Sequence, residues 1–229
     1  MKRADWDRLA DEFESETCDI TREESADRME RIVALARLPK KAVLADLGCG
    51  VGTFIARFGG RFAQIFGVEF APRIIARAKA RCGDGVIWLT MDIPRAAKEI
   101  GCAAHLTVCL NVITQSGAAE RAQLWSSVAH VTRKRGYALV VVPSMESERM
   151  VVETSRADPE WRAGGLVKRD GVWQKHFERE ELERIFAQHG FRVKRIDRAH
   201  YPWSVEGLRE TKARRGKRPW DWVCLAQKK

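Results

Sequence analysis

The chain has 229 residues, of which 45% are hydrophobic and 31% charged, and its formal net charge is +10. That length suits one α/β domain with a small elaboration, and that apolar content supplies a single large core, which argues against global disorder. The longest apolar runs, residues 107–113 and 137–143, reach about a third of the ~20 residues a membrane-spanning helix needs, so no transmembrane segment is expected.

The first residues, MKRADWDRLADEFESET, are polar and acidic and lack the continuous apolar stretch of a secretory signal, which predicts a cytoplasmic protein. The six cysteines, at 18, 49, 82, 102, 109 and 224, form no C-x-x-C pair and no zinc-finger spacing. Reduced, mostly buried thiols and no metal site are therefore expected. Residues 1–33 carry six basic and eleven acidic groups, so the remainder sums to +15. A basic body favours anionic partners, nucleic acid among them, but says nothing of chemistry. Whether the chain is a monomer or a homodimer is open at this stage.

Residues 5–37 are helical in character, with Trp6, Leu9 and Phe13 and later Met29, Ile32, Val33 and Leu35 at three- and four-residue spacings. They read as an N-terminal cap (1–40). From 42 to 143 the short apolar runs AVLADL, AQIFGVEF, VIWLT, HLTVCLN and YALVVVP alternate with amphipathic stretches such as APRIIARAKARC and AAERAQLWSSVAHVTRKR. That alternation predicts a parallel sheet wound by right-handed crossovers. After Ser144 it stops, and residues 145–178, with two tryptophans and the Gly164–Gly165 pair, read as an insertion that carries specificity. EREELERIFAQHG then predicts a helix with Leu182, Ile185 and Phe186 inward and Gly190 as its stop. FRVKRIDRA and WVCLAQK follow as the last two strands, which leaves 41–144 as a core segment and 179–229 as a C-terminal helix with strands.

The strongest chemical signal is Asp46-Leu47-Gly48-Cys49-Gly50-Val51-Gly52, placed between an apolar strand and the helix-like TFIARF. Its glycines permit a tight turn and let a ligand approach backbone amides at the next helix. The loop reads G-x-G-x-G with an acid two residues earlier, not the G-x-G-x-x-G of dinucleotide binding. A carboxylate there repels pyrophosphate and favours a cation. The second run ends in Gly67-Val68-Glu69-Phe70, where Glu69 either holds a ribose diol or caps the helix that begins near Pro72. The third ends in Met91-Asp92-Ile93, where Asp92 bonds an adenine amino group, caps the helix after it, or does both.

These motifs in this order, ADLGCGVGTF, GVEFAP, MDIP, LTVCLNVI and RKRGYALVVVPS, resemble those of the class I S-adenosylmethionine-dependent methyltransferases, and HFEREELERIFAQHGFRVKRI resembles the late helix and strand of their small-molecule members. The resemblance implies a doubly wound, seven-stranded, mostly parallel Rossmann-like sheet with an antiparallel last strand. It also implies S-adenosylmethionine as cofactor, with S-adenosylhomocysteine as product. Carried onto this chain, Asp46, Gly48, Gly50 and Gly52 cradle the methionine part and Glu69 the ribose. Met91 and Asp92 meet the adenine, and Asn111 with Val112 closes the floor beneath the sulfonium. Cys49, Phe70 and Ile93 belong to the same cofactor set.

Methyl transfer needs an in-line nucleophile in a dry pocket and little acid–base help, so a missing triad is no objection. A hydroxyl or ammonium acceptor must lose a proton, and His176 and His200 are the candidate bases; His105, His130 and His189 read as structural. Trp6, Trp173, Tyr201 and Trp203 are candidate acceptor contacts, with core packing as the alternative role for the tryptophans. The fourth run reads Asn111-Val112-Ile113-Thr114 and lacks the prolines and aromatic typical of nucleobase amino methylation. A small-molecule acceptor methylated on O, N or S is the first expectation. RNA or protein, met by the basic segment 209–219 (RETKARRGKRP), is the alternative. A noncatalytic cofactor-binding relative is a third.

Overall fold

The computed structural model of the chain describes residues 23–155, 160–169, 171–211 and 214–229. Trp6, Phe13 and Cys18, and with them the first part of the expected cap, lie outside the described residues. Helix α1 (Glu23–Leu35) precedes strand β1 (Val43–Leu47), helix α2 (Thr53–Phe58), β2 (Gln64–Val68), α3 (Pro72–Cys82), β3 (Val86–Leu89), α4 (Ile93–Ile100), β4 (Ala104–Leu110), α5 (Ala118–Val131) and β5 (Thr132–Pro143). Then come α6 (Met145–Ser155), three short strands β6 (Trp161–Arg162), β7 (Leu166–Arg169) and β8 (Val172–Lys175), α7 (Arg179–Gln188), β9 (Phe191–His200) and β10 (Trp220–Lys228).

The main sheet has the order β3-β2-β1-β4-β5-β10-β9. Its first five strands are parallel, and β10 runs antiparallel to both β5 and β9. The C-terminal ends of β1, β2, β4, β5 and β9 and the start of β10 therefore share one edge. Strand alternation sends two apolar sets to opposite faces. Leu47, Cys109, Val140, Val142 and Cys224 meet α4, α5 and α7 through Ile93, Ala97, Trp125, Val128, Leu182 and Phe186. Leu44, Val108, Leu139, Val141 and Val223 meet α1 and α2 through Met29, Ile32, Val33, Phe54 and Phe58. Both faces are covered, which is why these strands read as continuous apolar runs rather than alternating ones.

Local chemistry sets the helix ends. Asp92 Oδ1 accepts from the Arg95 amide at 2.9 Å, with Pro94 in the first turn of α4. Pro72 begins α3, and α7 stops at Gly190 in the left-handed region. The segment after β5 is more regular than its sequence suggests, for it forms α6 and a separate antiparallel sheet β6-β7-β8. Backbone bonds fasten it to the body: Phe177 N to the Pro143 carbonyl at 2.8 Å, Met145 N to Phe177 O at 3.0 Å and Lys175 N to Thr114 O at 2.8 Å. Buried Lys175 adds bonds from Nζ to the Gly164 carbonyl at 2.8 Å and to Glu181 at 2.6 Å. Among the described residues no helix is long and apolar enough to cross a membrane.

Phe186 is fully buried and meets the Trp125 ring edge-on with centroids 5.2 Å apart, and the Phe191 ring at 5.9 Å. Phe186→Ala leaves a cavity under the sheet and is expected to cost about 3–5 kcal/mol of unfolding free energy, measured by urea denaturation.

Candidate functional site

The glycine loop leaves β1 at the shared edge and folds back under β2: the amides of Gly48 and Cys49 both donate to the Val68 carbonyl, at 2.8 and 2.9 Å. Gly48 and Gly52 have φ near +78° and +79°. A Cβ on Gly48 would lie 2.5 Å from Val112 Cγ2, and one on Gly52 would lie 2.8 Å from Cys82 Sγ. Both the turn and its close packing thus demand glycine. Val112 follows the tip of β4, so the expected floor residue touches the expected cradle. Helix α2 has only six residues, so its dipole is small, and the electrostatics of the site come from side chains instead.

Those side chains are two buried carboxylates on neighbouring strands. Asp46 in β1 is 2% exposed and Glu69, just past β2, is 7% exposed. Glu69 Oε1 accepts from the Ala71 amide at 3.0 Å, which braces the turn into α3. Among the described residues Asp46 Oδ2 has no hydrogen-bond partner. Burial, with the Glu69 charge second, pushes the Asp46 carboxyl up to about 8. The Cys49 thiol is also pushed up, by burial first and then by Asp46 and Glu69, so it is no nucleophile near neutral pH. Met91 is half-buried, whereas Asp92 is exposed at the mouth of the third strand, its capping bond already made.

Along the same edge, Asn111 follows β4 in the left-handed region with φ 55°, and its Nδ2 donates to Asp221 Oδ2 at 3.3 Å. Asp221, at the start of β10, is 5% exposed. Burial pushes its carboxyl up to about 7, the Asn111 bond pulling the other way and nearby Glu206 adding to the rise. Sequence reasoning missed Asp221. Its one signal was a lone acid in the otherwise apolar strand WDWVCLAQK.

The insertion closes over this edge through Arg169 of β7. Its guanidinium pairs with Glu148 of α6 and, at 2.8 Å, with Glu206 in the turn after β9. Tyr201 donates to Glu206 Oε1 at 2.7 Å, and the Trp161 indole donates to Glu148 Oε1 at 3.4 Å. Glu148 is buried. Three chain segments far apart in sequence therefore meet on one cation.

The remaining sequence candidates fall in different surroundings. His176 is buried beside the insertion; burial first and Arg169 second push it down to about 4 despite a bond to the Ser144 backbone. His200, at the end of β9, is half-buried, with Nδ1 3.1 Å from the Arg218 carbonyl and its ring against Trp220. Trp203, expected at the acceptor, is 2% exposed; it donates to the Lys217 carbonyl at 2.8 Å and carries Arg214 over its ring. It packs the β9–β10 connection. Trp173 stacks under Arg162 at 4.0 Å inside the small sheet, and Trp6 lies outside the described residues. His105 accepts from the Val43 amide at 3.1 Å and His189 bonds the Ile185 carbonyl at 2.9 Å, as expected of structural histidines.

Residues 44–136 match a family profile described as a methyltransferase domain. No curated protein matches the chain significantly. Among solved structures the fold is similar to the 1,6-didemethyltoxoflavin-N1-methyltransferase of Burkholderia thailandensis, crystallised with 1,6-didemethyltoxoflavin and S-adenosylhomocysteine (TM-score 0.65, 16% identity, 99% of this chain and 86% of that one). It is also similar to the magnesium protoporphyrin IX methyltransferase of Synechocystis with S-adenosylhomocysteine bound (TM-score 0.60, 15% identity, 89% and 81%). A third is an S-adenosylmethionine-dependent methyltransferase of Mesorhizobium loti (TM-score 0.58, 18% identity, 85% and 96%). The chain thus has the fold of these methyltransferase structures, and its residues 44–136 match a methyltransferase-domain profile.

The residues present fit S-adenosylmethionine: among the described residues the buried Asp46 carboxylate keeps one oxygen without a hydrogen bond, chemistry suited to a cation, and Glu69 stands at the next strand tip. In the folded protein Asp46 and Asp221 hold protons that the unfolded chain would release above about 4. Without ligand, stability should therefore fall as pH rises from about 4 to about 8. Asp46→Asn should flatten the upper part of that decline, read as melting temperature against pH.

Proposed function

We propose that the domain transfers a methyl group to an O, N or S atom of a small-molecule acceptor. S-adenosylmethionine, when bound, supplies an electrophilic methyl on a sulfonium. Asp46 accepts from the ligand's ammonium, and the 48–52 loop lets the methionine part lie against backbone. Glu69 holds the ribose hydroxyls, Met91 and Ile93 pack the adenine face beside Asp92 and Phe70, and Asn111 with Val112 floors the reacting centre. These residues orient the ligand and exclude water, which is where the acceleration of an in-line displacement arises.

One observation supports the small-molecule reading: Arg169 of the insertion pairs with Glu148 and Glu206, which fastens the insertion to the edge where Asp221 lies. The two neighbours crystallised under the names of toxoflavin and protoporphyrin methyltransferases point the same way. The RNA or protein reading rests on segment 209–219. Part of that segment is engaged internally, since the carbonyls of Lys217 and Arg218 accept from Trp203 and His200 and Arg214 lies on Trp203. A noncatalytic relative would bind cofactor and turn over no acceptor.

Calorimetry with S-adenosylmethionine and S-adenosylhomocysteine, with NAD as control, tests the cofactor. Binding of the adenosyl ligands alone is expected, and Asp46→Ala and Glu69→Ala should each weaken it about 10- to 100-fold, the range of lost charged hydrogen bonds. Binding of NAD alone, or unchanged affinity in both variants, would sink the assignment. Acceptor binding that weakens steeply with added salt would favour RNA.

A further inference from the structure

We propose that Asp221 receives the proton of the acceptor, and that the acceptor is a nitrogen nucleophile bearing an N–H. The proposal rests on the methyltransferase reading above and adds to it the acceptor class and the group that serves it.

Placement comes first. Asp221 pairs with Pro143 of β5 and Ala199 of β9, on the sheet face that Asp46 also uses. Three inter-strand spacings, about 14 Å, separate the two aspartates along the edge, too far for Asp46 to serve the acceptor itself. Asn111, at the strand tip between them, is bonded to Asp221. Asp46, Asn111 and Asp221 thus form a line that starts at the glycine loop and ends under the insertion.

Charge comes second. Among the described residues no cation pairs with Asp221. Arg169 is committed to Glu148 and Glu206, Arg28 of α1 donates to the Arg198 carbonyl, and the Arg198 guanidinium lies over Trp220, whose side chain leaves β10 on the opposite face from Asp221. Of the acids on neighbouring elements, Glu206 and Glu148 are held by Arg169, Asp197 of β9 pairs with Arg195 at 2.9 Å and Glu146 accepts from the Trp222 indole at 3.2 Å, while His200 ends β9. A buried carboxylate held by one amide donor and faced by a second acid is costly unless a ligand brings a donor to it. Asp46 stands in the same condition on the cofactor side.

The histidines are less suited. His176 has a buried Nδ1 without a hydrogen-bond partner among the described residues, and burial with Arg169 close by makes it a weak base. Burial lowers His200, with the charges of Arg28 and Arg198 adding to it and the bond of its Nδ1 to the Arg218 carbonyl pulling the other way.

As a carboxylate with no cation partner among the described residues, Asp221 also disfavours acceptors that arrive as anions, whereas the Glu206 charge is matched by Arg169. An amine or ring N–H attacks through its lone pair as a neutral species and only then needs to shed a proton. The nitrogen–carbon bond forms as the carbon–sulfur bond breaks, the electron pair of the latter stays on sulfur as a neutral thioether, and the N–H proton passes to the Asp221 carboxylate and on to water.

The test uses the full chain, S-adenosylmethionine with a radioactive methyl group, and two acceptor panels. One contains primary and secondary amines and N–H heterocycles; the other contains carboxylic acids, phenols and thiols. Turnover confined to the nitrogen panel is expected. Asp221→Asn should lower kcat about 100-fold or more while S-adenosylhomocysteine affinity stays within about twofold. The wild-type rate should rise with pH through the Asp221 ionisation near 7, and this limb should vanish in the variant. Asp221→Glu should restore part of the rate, which a packing role would not predict. Turnover in the second panel alone, none in the first, or an Asp221→Asn enzyme with an unchanged pH profile would overturn the proposal. Failure of the wild-type protein to bind S-adenosylhomocysteine would instead remove the methyltransferase reading itself, and this proposal with it.

Discussion

Desolvation of carboxylates along one edge of the sheet is the constraint around which this molecule is organised. Asp46, Glu69 and Asp221 are nearly sealed from water, and among the described residues no lysine or arginine pairs with Asp46 or Asp221. Burying such a group costs several kcal/mol unless it is matched or neutralised. The fold tolerates the cost because the rest of the sheet is apolar on both faces and tightly covered. The raised carboxyls mark where the protein expects charge or hydrogen-bond donors from outside itself.

The contrast with Glu148 and Glu206 sharpens the point. Those acids are also withdrawn from solvent, yet they share the Arg169 guanidinium and accept from the Trp161 indole and Tyr201 hydroxyl. They are satisfied within the chain and hold the insertion in place. Matched acids hold the insertion; the unmatched ones are those the proposed function assigns to ligands.

Much of the glycine loop and of the strands and helices around it was legible in the sequence because its signals are local. The glycine pattern needs backbone conformations that only glycine adopts cheaply, the strand-end acids follow apolar runs, and the helix starts carry proline and aspartate. The acceptor half was harder to read because its contacts are long-range. Asp221 and Asn111 are 110 residues apart, and nothing in either neighbourhood announces the other. His176 and His200 looked alike in sequence, each at a segment border, and only burial and the position of Arg169 separate them. Trp203 illustrates the same limit: an indole beside a strand end can line a pocket or pack a connection, and its bond to the Lys217 carbonyl makes it the latter.

The Arg169 clasp joins a helix made before it to a turn made after it. During synthesis Glu148 and Arg169 emerge together, whereas Glu206 arrives only once β9 is complete, and β10, with Asp221, comes last of all. The cofactor half is by then long finished. On the proposed function, the parts that would hold the methyl donor are made early and those that would meet the acceptor late. On that reading, lesions in the final quarter of the chain would fall on acceptor selectivity before they touched the glycine loop, and new acceptors are open to evolution without rebuilding what lies upstream.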